Sequence, residues 1–239
     1  MLYLIGLGLN DEKDLSLKAL ETAKNCDCYA ELYTSIWQGS LEGLEKLIGK
    51  PVQNLKRNDL EEKSAIIIEK AKENDVAIFV PGDPLSATTH IDLIYQAKQR
   101  KIPFKIIHNA SIFSAVGETG LQLYKFGKTA TLPMSGKLEN VKKTVKSNKK
   151  LGLHTLLLLD IDREINIHLT VPDALKMLLK AKLVKETDSV IVFSRAGGDS
   201  KIKYDSVRNF VKDVIDLPAV IIIHGKLHFS EKDFLEMFR

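Results

Sequence analysis

"AIFVPGDPLSATTH", residues 77–90, runs from an unbroken apolar stretch into Pro81, Gly82, Asp83 and Pro84, then into small hydroxylated residues. A short continuous apolar run closed by turn residues is the pattern of a strand buried on both faces, as in a parallel sheet covered by helices. An ordinary strand-to-helix turn needs one glycine and a cap. Two prolines around a carboxylate instead make a stiffened loop that holds Asp83 in place.

The same rhythm extends outward from this loop. Before it, "LYLIGLG" and "CDCYAELY" read as strands, and "DLSLKALETAKNC" reads as a helix with Asp14 as its cap. Residues 40–48 read as a second helix, and "DLEEKSAIIIEKAKEN" as one charged helix opened by Asn58 or Asp59. After it, "SATTHIDLIYQAKQRK" is expected to be helical throughout, followed by the strand "PFKIIH" and the helix "ASIFSAVGETG". Strands separated by helices of this length imply a mostly parallel sheet with both faces covered. Beyond about residue 126 the strands "LHTLLLLDID", "SVIVFSRAG", "KIKYDS" and "AVIIIHGKLH" outnumber their helices, expected at about 172–186 and 206–215. That predicts a mixed sheet. The fold class is therefore α/β with an N-terminal α/β domain, 1–112, and a C-terminal α/β domain, 113–239.

Composition narrows the chemistry. A chain of 239 residues with ordinary apolar content is long enough to bury a core in one or two domains. No run of eighteen apolar residues occurs, so no membrane span is expected, and "MLYLIGLGLN" reads as a first strand because a signal peptide would need a basic flank. The net charge of +4 is small for a nucleic-acid-binding domain. The local exception is "KLENVKKTVKSNKK", residues 137–150, with six lysines and Glu139. It reads as a solvated helix, with docking of an acidic or RNA-bearing partner as the alternative. Cys26 and Cys28 read as buried, reduced, cytoplasmic thiols, and no metal site is expected.

Three strand ends carry the candidate ligand loops. "IGLGLND" offers Gly6 and Gly8, but Asp11 stands where a dinucleotide fingerprint needs its third glycine, although Glu31 could imitate the ribose-binding acid of that motif. "VPGDPLSATTH" has no Lys or Arg near Asp83, which is expected either to cap the next helix or to meet a ligand. "HNASIFS" adds Asn109, Ala110 and Ser111. In open parallel sheets ligands lie beyond the carboxyl ends of the strands. Small and acidic loops there suit a ligand with a positive centre, hydroxyls and a flat ring, such as S-adenosylmethionine. The histidines, among them His90, His108 and His154, read as hydrogen-bonded structural residues, with proton handling as the alternative.

"LYLIGLGLNDEKDLSLKALE", "VPGDPLSATTHIDLIYQAK", "IIHNASIFSAVGETGLQLYKFGKTATLP" and "GLHTLLLLDID" together resemble the diphthine synthase family of the tetrapyrrole-methylase group. The resemblance covers nearly the whole chain, and residues 107–133 are its most specific part. It implies two α/β domains with S-adenosyl-L-methionine in the cleft between them, S-adenosyl-L-homocysteine as product, and a homodimer. By position it implies cofactor contacts from Leu9, Asp83, Ser86, Ser111 and Ile112 in the first domain and from Leu159, Ala196 and Ala219 in the second. Ala219 stands where the family often has a histidine, so a side-chain bond is lost there. The implied substrate is the 3-amino-3-carboxypropyl-histidine of translation elongation factor 2, methylated successively on its amino group to diphthine, a step of diphthamide biosynthesis. Since the donor is already activated, catalysis is expected to rest mainly on positioning, with no indispensable side-chain base. Neither a membrane nor direct nucleic-acid binding is implied.

Overall fold

The computed structural model describes residues 1–163 and 165–239. It divides into two compact units, Met1–Phe113 and Ser114–Arg239.

The first unit alternates strand and helix: β1 (Leu2–Gly6), α1 (Leu17–Ala23), β2 (Asp27–Glu31), α2 (Leu41–Ile48), β3 (Val52–Leu55), α3 (Arg57–Glu61), α4 (Ser64–Glu73), β4 (Val76–Val80), α5 (Ile91–Gln99) and β5 (Phe104–Ile107). The strands form one sheet in the order β3-β2-β4-β1-β5, and every pairing is parallel. All five residues of β4 are buried, as its unbroken apolar run requires. Period-two alternation divides them: Val76, Ile78 and Val80 join Ile67, Ile68, Leu93 and Ala97 on one face, whereas Ala77 and Phe79 join Ala19, Ala23, Leu44 and Ile48 on the other. Helices α4 and α5 therefore cover one face, and α1 and α2 the opposite one.

Three helical expectations are corrected. The charged segment beginning at residue 58 is two helices, because the chain bends at Glu62–Lys63, where both residues' N–H groups fold back to the Asn58 carbonyl. The bend lets Leu60 and the Ile67–Ile68 pair all reach the core. The segment after Pro84 is a series of turns until Ile91, with Ala87 at φ 58°, a left-handed conformation that no helix tolerates. Finally, α1 is capped by Ser16, which accepts from the Ala19 N–H, while Asp14 has another task described below.

At the division lies α6 (Ile112–Ala115), followed by β6 (Ala130–Leu132), α7 (Glu139–Lys150), β7 (Thr155–Leu159), the small antiparallel pair β8 (Ile161–Asp162) and β9 (Ile167–His168), α8 (Val171–Lys180), β10 (Ser189–Ser194), β11 (Lys201–Ser206), α9 (Val207–Phe210), β12 (Ala219–Ile223) and α10 (Phe229–Leu235). The second sheet runs β11-β10-β12-β7-β6, antiparallel except for the β6–β7 pair, so it is mixed as expected. α8 ends at Lys180 and α9 at Phe210, both short of the expected ends. Lys182 at φ 56° turns the chain out of α8, and beyond Phe210 the chain runs irregularly to the cis Leu217–Pro218 bond before β12. On α7, Val141, Thr144, Val145 and Asn148 are buried while Lys143, Lys146, Lys149 and Lys150 are exposed, which is the solvated-face arrangement.

Candidate active site

Parallel pairing in register brings the carboxyl ends of β4, β1 and β5 side by side, so the loops that follow them meet. Gly8 and Gly82 bridge β1's loop to β4's, with Gly82 N–H donating to the Gly8 carbonyl at 2.8 Å and Gly8 N–H to the Gly82 carbonyl at 3.2 Å. Both sit at positive φ, 84° and 70°, where a side chain is strained. Gly6 is needed for a different reason: a Cβ there would lie 2.5 Å from the Gly82 carbonyl oxygen and 2.7 Å from Asn109 Cβ. Asn109, following β5, ties that end to β1 and its loop by donating from Nδ2 to the Gly6 and Asp14 carbonyls, each at 3.0 Å.

Asp14 is the fixture of the glycine turn. Its Oδ2 accepts the Leu9 N–H at 3.0 Å and the Asn10 N–H at 2.7 Å. Those two amides are the ones that would face a pyrophosphate in a dinucleotide site. A carboxylate already occupies them, so this turn is no anion nest. Glu31 cannot serve a ribose either. It is fully buried, accepts the Thr34 hydroxyl at 2.7 Å, and faces His90 Nε2 at 3.1 Å, in ion-pair range though without hydrogen-bond alignment.

Asp83 is nearly buried, and four donors converge on its carboxylate. Oδ1 accepts from the Leu85 N–H at 3.0 Å and the Ser86 hydroxyl at 3.4 Å; Oδ2 accepts from the Asn109 N–H at 3.3 Å and meets His108 Nδ1 at 2.7 Å. The carboxylate thus pins the β4 loop to the end of β5 and does not cap α5, whose N-cap position is His90. Ser86 rides on the same turn, Leu9 follows Gly8, and Ser111 and Ile112 follow Asn109. The five first-unit positions therefore lie on one rim. Gly82 is the open point of that rim, since a Cβ there would meet nothing nearer than Ser111 Cβ at 3.7 Å. With no Lys or Arg from residue 77 to 90, and with small residues after β5, the rim suits an uncharged or cationic ligand better than a polyphosphate.

In the second unit the antiparallel register places Ala219, at the start of β12, opposite Ser194, at the end of β10, while Val220 pairs with Leu158. Leu159 and Ala196 therefore sit at the same end of that sheet as Ala219. Arg195 bridges the last two segments, its N–H donating to the Pro218 carbonyl at 2.8 Å.

The sequence marks Asn109 as part of a strand-end loop and His108 as a histidine with a structural or proton-handling role; it does not show that both meet Asp83, from the loop after β4. The partner of each is distant in sequence. Cys26 and Cys28 are free, buried thiols; burial pushes both up to about 11. Among the described residues, no group of three or more His, Cys, Asp or Glu could hold a metal ion, and no helix is long and apolar enough to cross a membrane.

The parallel α/β unit with its glycine-bridged rim and the mixed-sheet α/β unit that follows it match a methylase class. The family model for tetrapyrrole (corrin/porphyrin) methylases matches residues 1–207. The chain is 41% identical to a diphthine synthase of Methanocaldococcus jannaschii, over 99% of this chain and 98% of the relative. It is 42% identical to one of Methanothermobacter thermautotrophicus, over 98% and 94%. A crystal structure of diphthine synthase superimposes with a TM-score of 0.92 at 38% identity, covering 99% of this chain and 95% of the other. The chain belongs to the tetrapyrrole methylase family, within its diphthine synthase branch.

Proposed function

We propose that this methyltransferase takes methyl groups from S-adenosyl-L-methionine. It places them successively on the amino nitrogen of the 3-amino-3-carboxypropyl-histidine of translation elongation factor 2, giving diphthine in diphthamide biosynthesis. The observation that carries this reading is the full-length match to diphthine synthases, which covers nearly all of both chains. The rim after β4, β1 and β5 supports it chemically, being small, rigid and free of phosphate-binding cations.

S-adenosyl-L-methionine would supply a methyl group on a positive sulfur. The first-unit contacts would be Leu9, Asp83, Ser86, Ser111 and Ile112, and the second-unit contacts Leu159, Ala196 and Ala219. Asp83, held by four donors, acts chiefly by fixing the loop that carries Ser86. Gly82 leaves room for close backbone approach. Ala219 offers only backbone and a methyl group. Such rigidity matters because displacement is fast only when the attacking atom and the methyl carbon are held in line. The same reading makes the enzyme a cytoplasmic homodimer with a protein substrate.

The test is to mix the purified protein, S-adenosyl-L-methionine and elongation factor 2 bearing the unmethylated intermediate, and follow intact mass. Successive methyl-sized increments on the modified histidine are expected. Binding of the methyl donor without any increment would move the substrate to RNA or a small molecule, and the substrate assignment would fall.

A further inference from the structure

His108 is a group on the rim with a proton-accepting atom that faces outward. Its Nδ1 lies 2.7 Å from Asp83 Oδ2, and its side chain is 66% exposed whereas that of Asp83 is 11% exposed. A carboxylate accepts only, so the contact requires a proton on Nδ1; in the neutral ring Nε2 is then the acceptor. Asp83 is itself immobilised by Leu85, Ser86 and Asn109. A buried carboxylate therefore fixes both the tautomer and the orientation of an exposed imidazole at the carboxyl edge of the sheet. Among the described residues Asp83 is the charged group bonded to this ring. Asp14, from the neighbouring β1 loop, has its Oδ2 taken by Leu9 and Asn10.

Resting on the amine-methylation reading above, we infer that His108 is the proton acceptor that frees the substrate's amino nitrogen for attack. An alkylammonium has no lone pair, so each transfer must begin with its deprotonation. The ammonium N–H bond breaks, its electron pair stays on nitrogen, and the proton passes to His108 Nε2. The resulting imidazolium is held by Asp83. The nitrogen lone pair then forms the N–CH3 bond while the S–CH3 pair returns to sulfur, leaving a neutral thioether. His108 releases its proton to water from its exposed side. Each of the three methylations that convert the primary ammonium to a trimethylammonium releases one proton, and the ring is reset between them. This gives the site a catalytic side chain where the sequence suggested that catalysis rests mainly on positioning.

The decisive variant is His108→Asn. Its side-chain amide can still donate to Asp83 from the place of Nδ1, so the loop stays pinned, but it offers no basic nitrogen outward. Donor affinity, measured by calorimetry, is expected to stay within about twofold of wild type. Single-turnover methyl transfer near neutral pH should fall by roughly 10²–10⁴-fold. The deficit should shrink as rising pH deprotonates the amine in solution. Nitrogen-correlated NMR of the wild-type imidazole, recorded without any substrate, should give the Nδ1–H tautomer, and Asp83→Asn should lose that preference. Wild-type transfer rates in His108→Asn, or an Nε2–H tautomer in the native protein, would overturn the inference. A parallel loss of donor affinity would also overturn it, since the role would then be structural. If wild type itself transfers no methyl group, the function above fails, and that result is distinct from either outcome for His108.

Discussion

Changing Glu231 to Gln should remove most of the pH dependence of stability below pH 5 from one region of the second unit. Glu231 is 1% exposed, yet it accepts from the Gln122 N–H at 2.9 Å, the His228 N–H at 2.7 Å and His154 Nε2 at 3.1 Å, with Lys125 Nζ as a fourth, very close donor. The buried His154 ring is fixed as a neutral tautomer because Gly225 N–H donates to its Nδ1 at 3.0 Å, and burial pushes the ring below its ordinary value despite Glu231 beside it. Burial alone would raise Glu231, but the Lys125 ammonium, the two backbone donors and His154 outweigh it and hold the carboxyl down at about 2, against an ordinary 4.5. Because the folded value is the lower one, the stabilisation is complete above pH 4.5 and disappears as pH falls through about 2. It amounts to about 3 kcal/mol. At neutral pH Glu231→Gln should cost about 3 kcal/mol or somewhat more, since Lys125 loses its counter-charge in a half-closed setting. The cost should dwindle as the pH approaches 2, where wild type is protonated too. His154 does not cancel: the Glu231 carboxylate props its value up, so in Glu231→Gln the ring is held lower still and adds a separate loss of stability that begins at the ordinary histidine range, above the window in which Glu231 titrates. The sole tryptophan, Trp37, lies in the first unit, so fluorescence would watch the wrong region. Hydrogen exchange of peptides covering 219–231, measured from pH 7 to pH 3 in graded urea, reads the right one. Acid limbs of equal slope in wild type and Glu231→Gln would refute the reasoning, whatever the cost at neutral pH.

Three further outcomes test the site and the core. Gly6→Ala places a Cβ 2.5 Å from the Gly82 carbonyl and 2.7 Å from Asn109 Cβ, so all three strand-end loops must shift; donor affinity should drop by an order of magnitude or more and thermal stability by several degrees, both read in one ligand-shift melting series. Gly82→Ala meets no such obstacle within the fold and should lose roughly 1–2 kcal/mol of stability to its positive φ, while its added methyl group fills space on the rim and should lower donor affinity as well. Cys26 and Cys28, pushed up to about 11 from 9.0, should be alkylated about a hundredfold more slowly than an unperturbed thiol at pH 8, with full reactivity on unfolding; rapid labelling of the native protein, seen by peptide mass, would contradict their burial.

Local pattern carried much of this protein. The alternation of apolar strand and amphipathic helix through residue 107 specified a parallel sheet, because a strand covered on both faces must be apolar throughout and β4 is. The excess of strands over helices after residue 126 specified the mixed sheet. Glycine, proline and aspartate at successive strand ends marked the rim, since in a parallel sheet those ends must share an edge. What the tertiary structure decided is which groups meet there. Asp14 looked like a cap for α1 and instead holds the glycine turn; Glu31 looked like a ribose acid and is sealed against His90; Asp83 looked like a helix cap or a ligand contact and binds His108, 25 residues away. Glu231 and His154, 77 residues apart, gave no hint of each other. The physical reason is range. Periodicity and caps are set within a few residues, whereas a hydrogen bond between strand ends depends on sheet order and register, which are fixed only when the whole core closes.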